Sequence, residues 1–123
     1  MQRAQFIFGP EIEEPEDKLA QYVGVKHCIT CTNGTDALER ILQAWGIGKE
    51  DAVFVPAFTF MPTAEVVTSV GAYPIFVDVD RETFNIDTER LEQAIIQAMD
   101  DGKYNLLAVI PVDLFGSQSI TAE

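Results

Sequence analysis

Several stretches of the chain hold residue types at spacings that can do chemistry. Cys28 and Cys31 form C-x-x-C, the spacing of a dithiol pair or of half a zinc site. Directly after them, Asn33-Gly34-Thr35-Asp36 offers a flexible glycine, a hydroxyl and a carboxylate ahead of a helical pattern. Within DVDRETFNIDTE, residues 78 to 89, Asp78, Asp80, Glu82 and Glu89 fall at carboxylate positions of a calcium loop. PAFTF, residues 56 to 60, ends in an aromatic, and PVDLFG carries Asp113 after an apolar run.

The elements around these residues discriminate among the readings. HCITC, residues 27 to 31, has the pattern of a short strand. Cysteines three apart on a strand point to opposite faces, and His27 is the only histidine available to complete a zinc site. The expectation is therefore two small core residues, with thiol redox chemistry as the competing idea. Asn33-Gly34 has the composition of a hairpin turn, but a helix follows it rather than a second strand. What remains is a strand feeding a helix through Thr32-Asn33-Gly34-Thr35-Asp36. Glycine lets backbone approach a ligand, and the free N–H groups of a helix N-terminus favour a phosphate. An ordinary capped strand-to-helix turn explains the same residues, and the stretch is neither a Walker motif nor G-x-G-x-x-G. The calcium loop has Thr83 where glycine belongs and follows a strand rather than a helix, so a turn and helix cap are expected there and no metal. Phe60 can be a core residue or can stack on a flat ligand, and Asp113 can touch a ligand or cap a turn.

Along the chain, Gly9-Pro10 reads as a turn, and Pro15 to Val23 as a helix opened by Pro15 and stopped by Gly24. Leu38, Ile41, Leu42 and Trp45 form one apolar helical face, with Asp36 and Glu39 as a capping box or Thr35 as the cap, and Gly46 as the stop. VFVP, residues 53 to 56, is apolar throughout, as in a strand buried on both faces. Pro62 opens a helix to about Val70, closed by Gly71. PIFVDV, residues 74 to 79, is a strand. Asp87 or Thr88 starts a helix with Leu91, Ala94, Ile95, Ala98 and Met99 on one face and Gly102 after its end. LLAVIPV, residues 106 to 112, is the last strand. Alternation of this kind predicts an α/β fold, three-layer α/β/α, with a mainly parallel sheet.

Bulk properties narrow the partners. The chain has 123 residues, 47% hydrophobic, with a net charge of −12. Such acidity argues against nucleic acid and anionic membrane as partners. No apolar run approaches the roughly 18 residues of a membrane span. The N-terminal MQRAQFIFGPEIEEPEDK has no apolar core and turns acidic, so no secretory signal is expected and a reduced, cytoplasmic setting is.

Taken together and in order, GVKHCITCTNGTDAL, GIGKEDAVFVPAFTF, VGAYPIFVDVDRETFNID and AVIPVDLFG resemble the DegT/DnrJ/EryC1/StrS family, over roughly residues 6 to 118. These are pyridoxal-phosphate (PLP) sugar aminotransferases with the type I, aspartate-aminotransferase-like fold. The resemblance implies that Gly34, Thr35 and Asp36 bind the PLP phosphate and that Phe60 stacks on its ring. Phe8 and Asp113 would lie near the sugar nucleotide, although PVDLFG replaces the commoner PVHLFG. It implies transfer of an amino group from an amino acid, expected to be glutamate, to a keto-sugar nucleotide, by a homodimer. Some relatives dehydrate the sugar instead. The family's Schiff-base lysine belongs to an S-x-x-P-x-K segment and its ring-pairing Asp to an E-D-A-A segment. Lys18, Lys26, Lys49 and Lys103 have no such context. Residues 1 to 123 are accordingly expected to be one partial domain, the N-terminal portion of the large PLP-binding domain, without catalytic residues and inactive alone. Strand 27 to 31 would then lack its usual neighbour. A stand-alone α/β module binding a phosphorylated ligand is the alternative.

Overall fold

A computed structural model describes residues 9 to 116 and 118 to 119. The chain divides into two compact units, Met1–Ala37 and Leu38–Glu123.

In the first unit, α1 (Pro10–Val23) begins five residues earlier than expected. Gly9, with extended backbone, precedes it, and Pro10 takes the opening position that Pro15 was expected to fill. Pro suits that position because the N–H it lacks has no intrahelical partner there. Glu11 and Glu13 favour the start by complementing the helix dipole. Pro15 sits inside the helix at the cost of one backbone hydrogen bond. Gly24 ends α1 in the left-handed region at φ 78°, its N–H donating to the Ala20 carbonyl at 2.9 Å.

Residues 27 to 31 do not form the expected strand. A strand exists through its ladder, and this segment pairs with no other strand among the described residues. Cys28 is accordingly half-buried and Cys31 exposed, and both are free, which corrects the expectation of two core residues.

Next comes α2 (Gly34–Ala44). In the second unit follow β1 (Asp51–Pro56), α3 (Pro62–Ser69), β2 (Tyr73–Val77), α4 (Thr88–Asp101) and β3 (Asn105–Val109). The sheet is three-stranded and parallel in the order β2-β1-β3, so every expected strand except the first is present. All six residues of β1 are buried, as its unbroken apolar run predicts for a central strand.

The strand's alternation builds two cores. Val53 and Val55 point to one face, with Leu42, Ile47, Val66, Val67 and Ala72. Phe54 points to the other, with Val77 and Ile86 and against Leu91, Ala94, Ile95 and Ala98 of α4. The layers are thus α/β/α. Met99, assigned to the apolar stripe of α4, is 67% exposed, and Trp45, assigned to that of α2, is 68% exposed and lies just past its end at Ala44. Asp51 is buried but satisfied: one carboxylate oxygen accepts the Gly48 N–H at 2.9 Å and the other the Asn105 side-chain amide at 3.0 Å. That pair ties the start of β1 to the start of β3. Asp87 caps α4, accepting the Arg90 N–H at 3.0 Å.

Candidate functional site

The turn ahead of α2 is built differently from the capping box expected there. Its cap is Asn33, whose side-chain oxygen accepts the Asp36 N–H at 2.9 Å while its carbonyl accepts the Ala37 N–H at 3.1 Å. Thr35 and Asp36 are therefore inside the helix rather than capping it. Asparagine competes well for this position because its short amide reaches the third helical N–H without strain. Sequence reasoning missed Asn33 because three adjacent residues could each cap. The consequence is chemical. Of the four N–H groups that a helix start leaves over, Asn33 takes that of Asp36, while its carbonyl accepts the first ordinary helical bond, from Ala37. The N–H groups of Gly34 and Thr35 have no partner among the described residues, and Thr35 adds its hydroxyl to the same two-residue stretch. A Cβ added to Gly34 would meet no atom within 4 Å. Gly34 and Thr35 thus offer two N–H donors at the positive end of an eleven-residue helix with open space before them, the donor set an oxyanion requires.

Upstream, Glu16 of α1 accepts the Thr30 N–H at 2.7 Å and the Thr30 hydroxyl at 2.8 Å. This pair of hydrogen bonds to one carboxylate oxygen fixes the segment that feeds the turn. The Thr30 backbone N–H, and after it the hydroxyl, hold the Glu16 carboxyl below its ordinary pKa. A depressed carboxylate contributes its stabilisation above the ordinary pKa and loses it as pH falls through the lowered one. In a pH titration followed by NMR, the Thr30 amide resonance is expected to move with a midpoint below that of an unperturbed glutamate. Glu16→Gln should abolish the movement, and a midpoint at the ordinary value would show that the hold does not exist in solution.

In the second unit, Phe60 follows β1 and is 74% exposed, so it is not the core residue that one reading allowed. Its carbonyl accepts the Thr63 N–H at 3.0 Å at the start of α3, and Thr59 and Thr63 share a hydroxyl contact at 3.1 Å. These bonds fix the backbone and leave the ring open for stacking. Phe58 instead meets Phe84 at 5.6 Å between ring centroids, and Phe84 meets Phe115 edge-on at 5.7 Å. Asp113 follows β3 and accepts both the N–H and the hydroxyl of Ser119, at 2.8 and 2.7 Å, through one oxygen. The Ser119 hydroxyl, then its N–H, lower the Asp113 pKa. Phe60 and Asp113 both lie beyond the carboxyl ends of adjacent parallel strands, where ligands of open α/β sheets bind. Phe8 lies outside the described residues.

Two carboxylates of the stretch 78 to 89 are engaged locally. Asp80 accepts the Glu82 and Thr83 N–H groups and the Thr83 hydroxyl through one oxygen, making a tight turn, while Asp87 caps α4. Among the described residues no three His, Cys, Asp or Glu gather to hold a metal, and no helix is long and apolar enough to cross a membrane. Lys18 pairs with Glu14, and Lys103 sits 4.8 Å above the Tyr104 ring, which stacks on Tyr73 at 4.7 Å. Tyr73 opens β2 and Tyr104 precedes β3, so this lysine is at the amino ends of the strands, opposite Phe60 and Asp113.

Comparison with known proteins bears on the same segments. The model of the DegT/DnrJ/EryC1/StrS aminotransferase family matches residues 1–121. A UDP-2-acetamido-2-deoxy-3-oxo-D-glucuronate aminotransferase of Pseudomonas aeruginosa is 46% identical over 116 residues, which is 94% of this chain and 30% of that protein. Among solved structures, a DegT/DnrJ/EryC1/StrS aminotransferase from Brucella abortus superposes with a TM-score of 0.88 at 52% identity, covering 94% of this chain and 31% of the other. Spr1654 of Streptococcus pneumoniae, solved in a PLP form, superposes with a TM-score of 0.79 at 36% identity, over 89% of this chain and 26% of the other. The chain thus spans about 30% of the length of the relatives it matches.

Proposed function

The chain belongs to the DegT/DnrJ/EryC1/StrS aminotransferase family, and from that membership we propose that it is the N-terminal part of the large domain of a PLP-dependent sugar aminotransferase. The full-length parent moves an amino group from an amino acid, glutamate in this reading, to a keto-sugar nucleotide. It works in the cytoplasm as a homodimer and builds an amino sugar for a polysaccharide or an antibiotic. The net charge of −12 fits a partner set without nucleic acid or membrane.

One observation carries the reading: the N–H groups of Gly34 and Thr35 at the start of α2, without a partner among the described residues and with open space over Gly34. The residues present fit the cofactor's phosphate. Gly34 and Thr35 donate N–H groups to it, and the Thr35 hydroxyl adds a third bond. Asp36 completes the cradle as the next residue of the first turn, its N–H held by Asn33. Phe60 offers its exposed ring to the pyridine face. Bound PLP supplies the electron sink that lets nitrogen leave one carbon skeleton and enter another. The lysine that holds the cofactor and moves the proton, and the Asp that pairs with the ring nitrogen, are supplied in this reading by the longer protein.

The test is made on the full-length parent. PLP added to the purified protein should give the visible absorbance of bound cofactor, glutamate should bleach it, and a keto-sugar nucleotide should restore it. Cofactor binding with sugar dehydration and no amino transfer would point to the dehydratase branch. A reading frame that closes after Glu123, with phosphate binding and no PLP spectrum, would favour a stand-alone phospholigand module.

A further inference from the structure

The carboxyl ends of β1, β2 and β3 feed three loops, and each loop contributes one phenylalanine to a contiguous aromatic group: Phe58, Phe84 and Phe115. Two of the three are in the left-handed region, Phe84 at φ 61° and Phe115 at φ 55°. A bulky side chain adopts that region rarely, and such strain persists only where surrounding contacts over-determine it. Here the contacts come from Asn85, which is 5% exposed. Its backbone belongs to its own loop: the carbonyl accepts the Asp80 N–H at 2.9 Å, and the N–H donates to the Thr83 hydroxyl at 3.3 Å. Its side chain reaches the loop after β3. The Leu114 N–H donates to its oxygen at 3.3 Å, and its amide donates to the Gln118 carbonyl at 3.1 Å. Those two anchor points bracket Phe115, and both lie close in sequence to Asp113. Phe115 remains 78% exposed and Phe58 51% exposed, so the clamp holds rings that face outward rather than filling a core.

Building on the aminotransferase reading, we propose that Asn85 is a positioning residue for the sugar substrate. By locking the loop after β3 to the loop after β2, it sets Phe115 and Asp113 against Phe84 and Phe58. The rings make a wall for the apolar face of the hexose at the rim of the sheet. Phe58 shares its loop with Phe60, but the two loops that Asn85 joins, carrying Phe84 and Phe115, contain neither Gly34, Thr35 nor Phe60, so the part of the wall that Asn85 sets acts on the substrate.

The experiment compares wild type, Asn85→Ala, Asn85→Asp and Phe115→Ala in the full-length parent. Asn85→Ala removes the side-chain bonds to Leu114 and Gln118 and is expected to raise KM for the keto-sugar nucleotide roughly tenfold, one hydrogen-bond's worth of free energy. The dissociation constant for PLP and the KM for the amino-acid donor should stay within about twofold. Asn85→Asp keeps the acceptor for Leu114 but faces the Gln118 carbonyl with an oxygen, and should fall between. Phe115→Ala leaves the anchor bonds in place, since both run to backbone, and should reproduce the selective rise in KM. It also carries the test should Asn85→Ala fail to fold. An unchanged sugar KM in Phe115→Ala, or losses in Asn85→Ala that strike donor, cofactor and melting temperature alike, would overturn the proposal while the wild type remains an active aminotransferase. A wild type that neither binds PLP nor transfers nitrogen overturns the functional reading, and this inference with it.

Discussion

Gly34→Val in the full-length parent is expected to weaken PLP binding by about a hundredfold, equivalent to about 2.7 kcal/mol, with the fold intact. The separation of the two effects follows from the local geometry. Gly34 is the first residue of α2 and has no left-handed backbone to protect, and a Cβ placed there meets no atom within 4 Å. The protein therefore tolerates the side chain, and Gly34→Ala should even gain up to about 1 kcal/mol by restricting the unfolded chain. The one thing a side chain can obstruct is a ligand approaching the Gly34 and Thr35 N–H groups. The series should thus run in opposite directions: melting temperature level or rising from glycine to alanine, PLP affinity falling from glycine through alanine to valine. Asn33→Ala supplies the contrast. It removes the cap and costs about 1 kcal/mol of stability while leaving the two free donors in place. Titration of each variant with PLP, followed by absorbance and thermal melting, separates the cases. Unchanged affinity in Gly34→Val would remove this turn from the cofactor site.

Much of the frame was legible because it is local. Leu91, Ala94, Ile95 and Ala98 were placed on one face by their spacing, and they pack against the Phe54 core. Gly24 and Gly102 end their helices in the left-handed region, as glycine's lack of a Cβ predicts. What sequence reasoning missed turns on contacts remote in the chain or on a choice among equals. Residues 27 to 31 have strand composition, but pairing needs a partner that composition cannot supply. Pro15 reads as a helix start once Pro10 is assigned to a Gly-Pro turn. The periodic stripe of α2 ran on to Trp45, past the last helical residue, since periodicity carries no stop signal finer than a turn. At the site, the Gly34-Thr35 donors were readable from type and order, but Asn33 as cap was not. Asn85 was hidden more deeply. Between Phe84 and Ile86 it reads as a turn residue, and its role depends on bonds to Leu114 and Gln118, about thirty positions away.

Phe54→Ala should be the most damaging single truncation in the second unit, costing about 3–5 kcal/mol. Phe54 is at the centre of the central strand, 2% exposed, and it shares one core with Val77 of β2, Ile86 and the underside of α4. Neighbours on both sides are strands held in parallel register, and its carbonyl accepts the Ile110 N–H at 2.9 Å, so the backbone cannot collapse into the space left by the ring. A cavity that cannot close keeps its full cost. Against a net stability of about 5–15 kcal/mol for a typical domain, that loss should lower the melting temperature of the parent by roughly 10 °C. Phe76→Ala on β2 is the control, because Phe76 is 59% exposed and the same truncation there should change stability by no more than about 0.5 kcal/mol. The damage also propagates towards the site. β1 ends at Pro56, and the Ala57 N–H donates to the Val77 carbonyl at 2.7 Å, so the Phe58–Phe60 segment takes its position from the pairing that Phe54 and Val77 stabilise together. Sugar turnover at a temperature where Phe54→Ala is still folded should therefore fall before the protein melts, whereas Phe76→Ala should keep wild-type turnover. Equal melting temperatures for the two variants would show that the core is not organised around this strand.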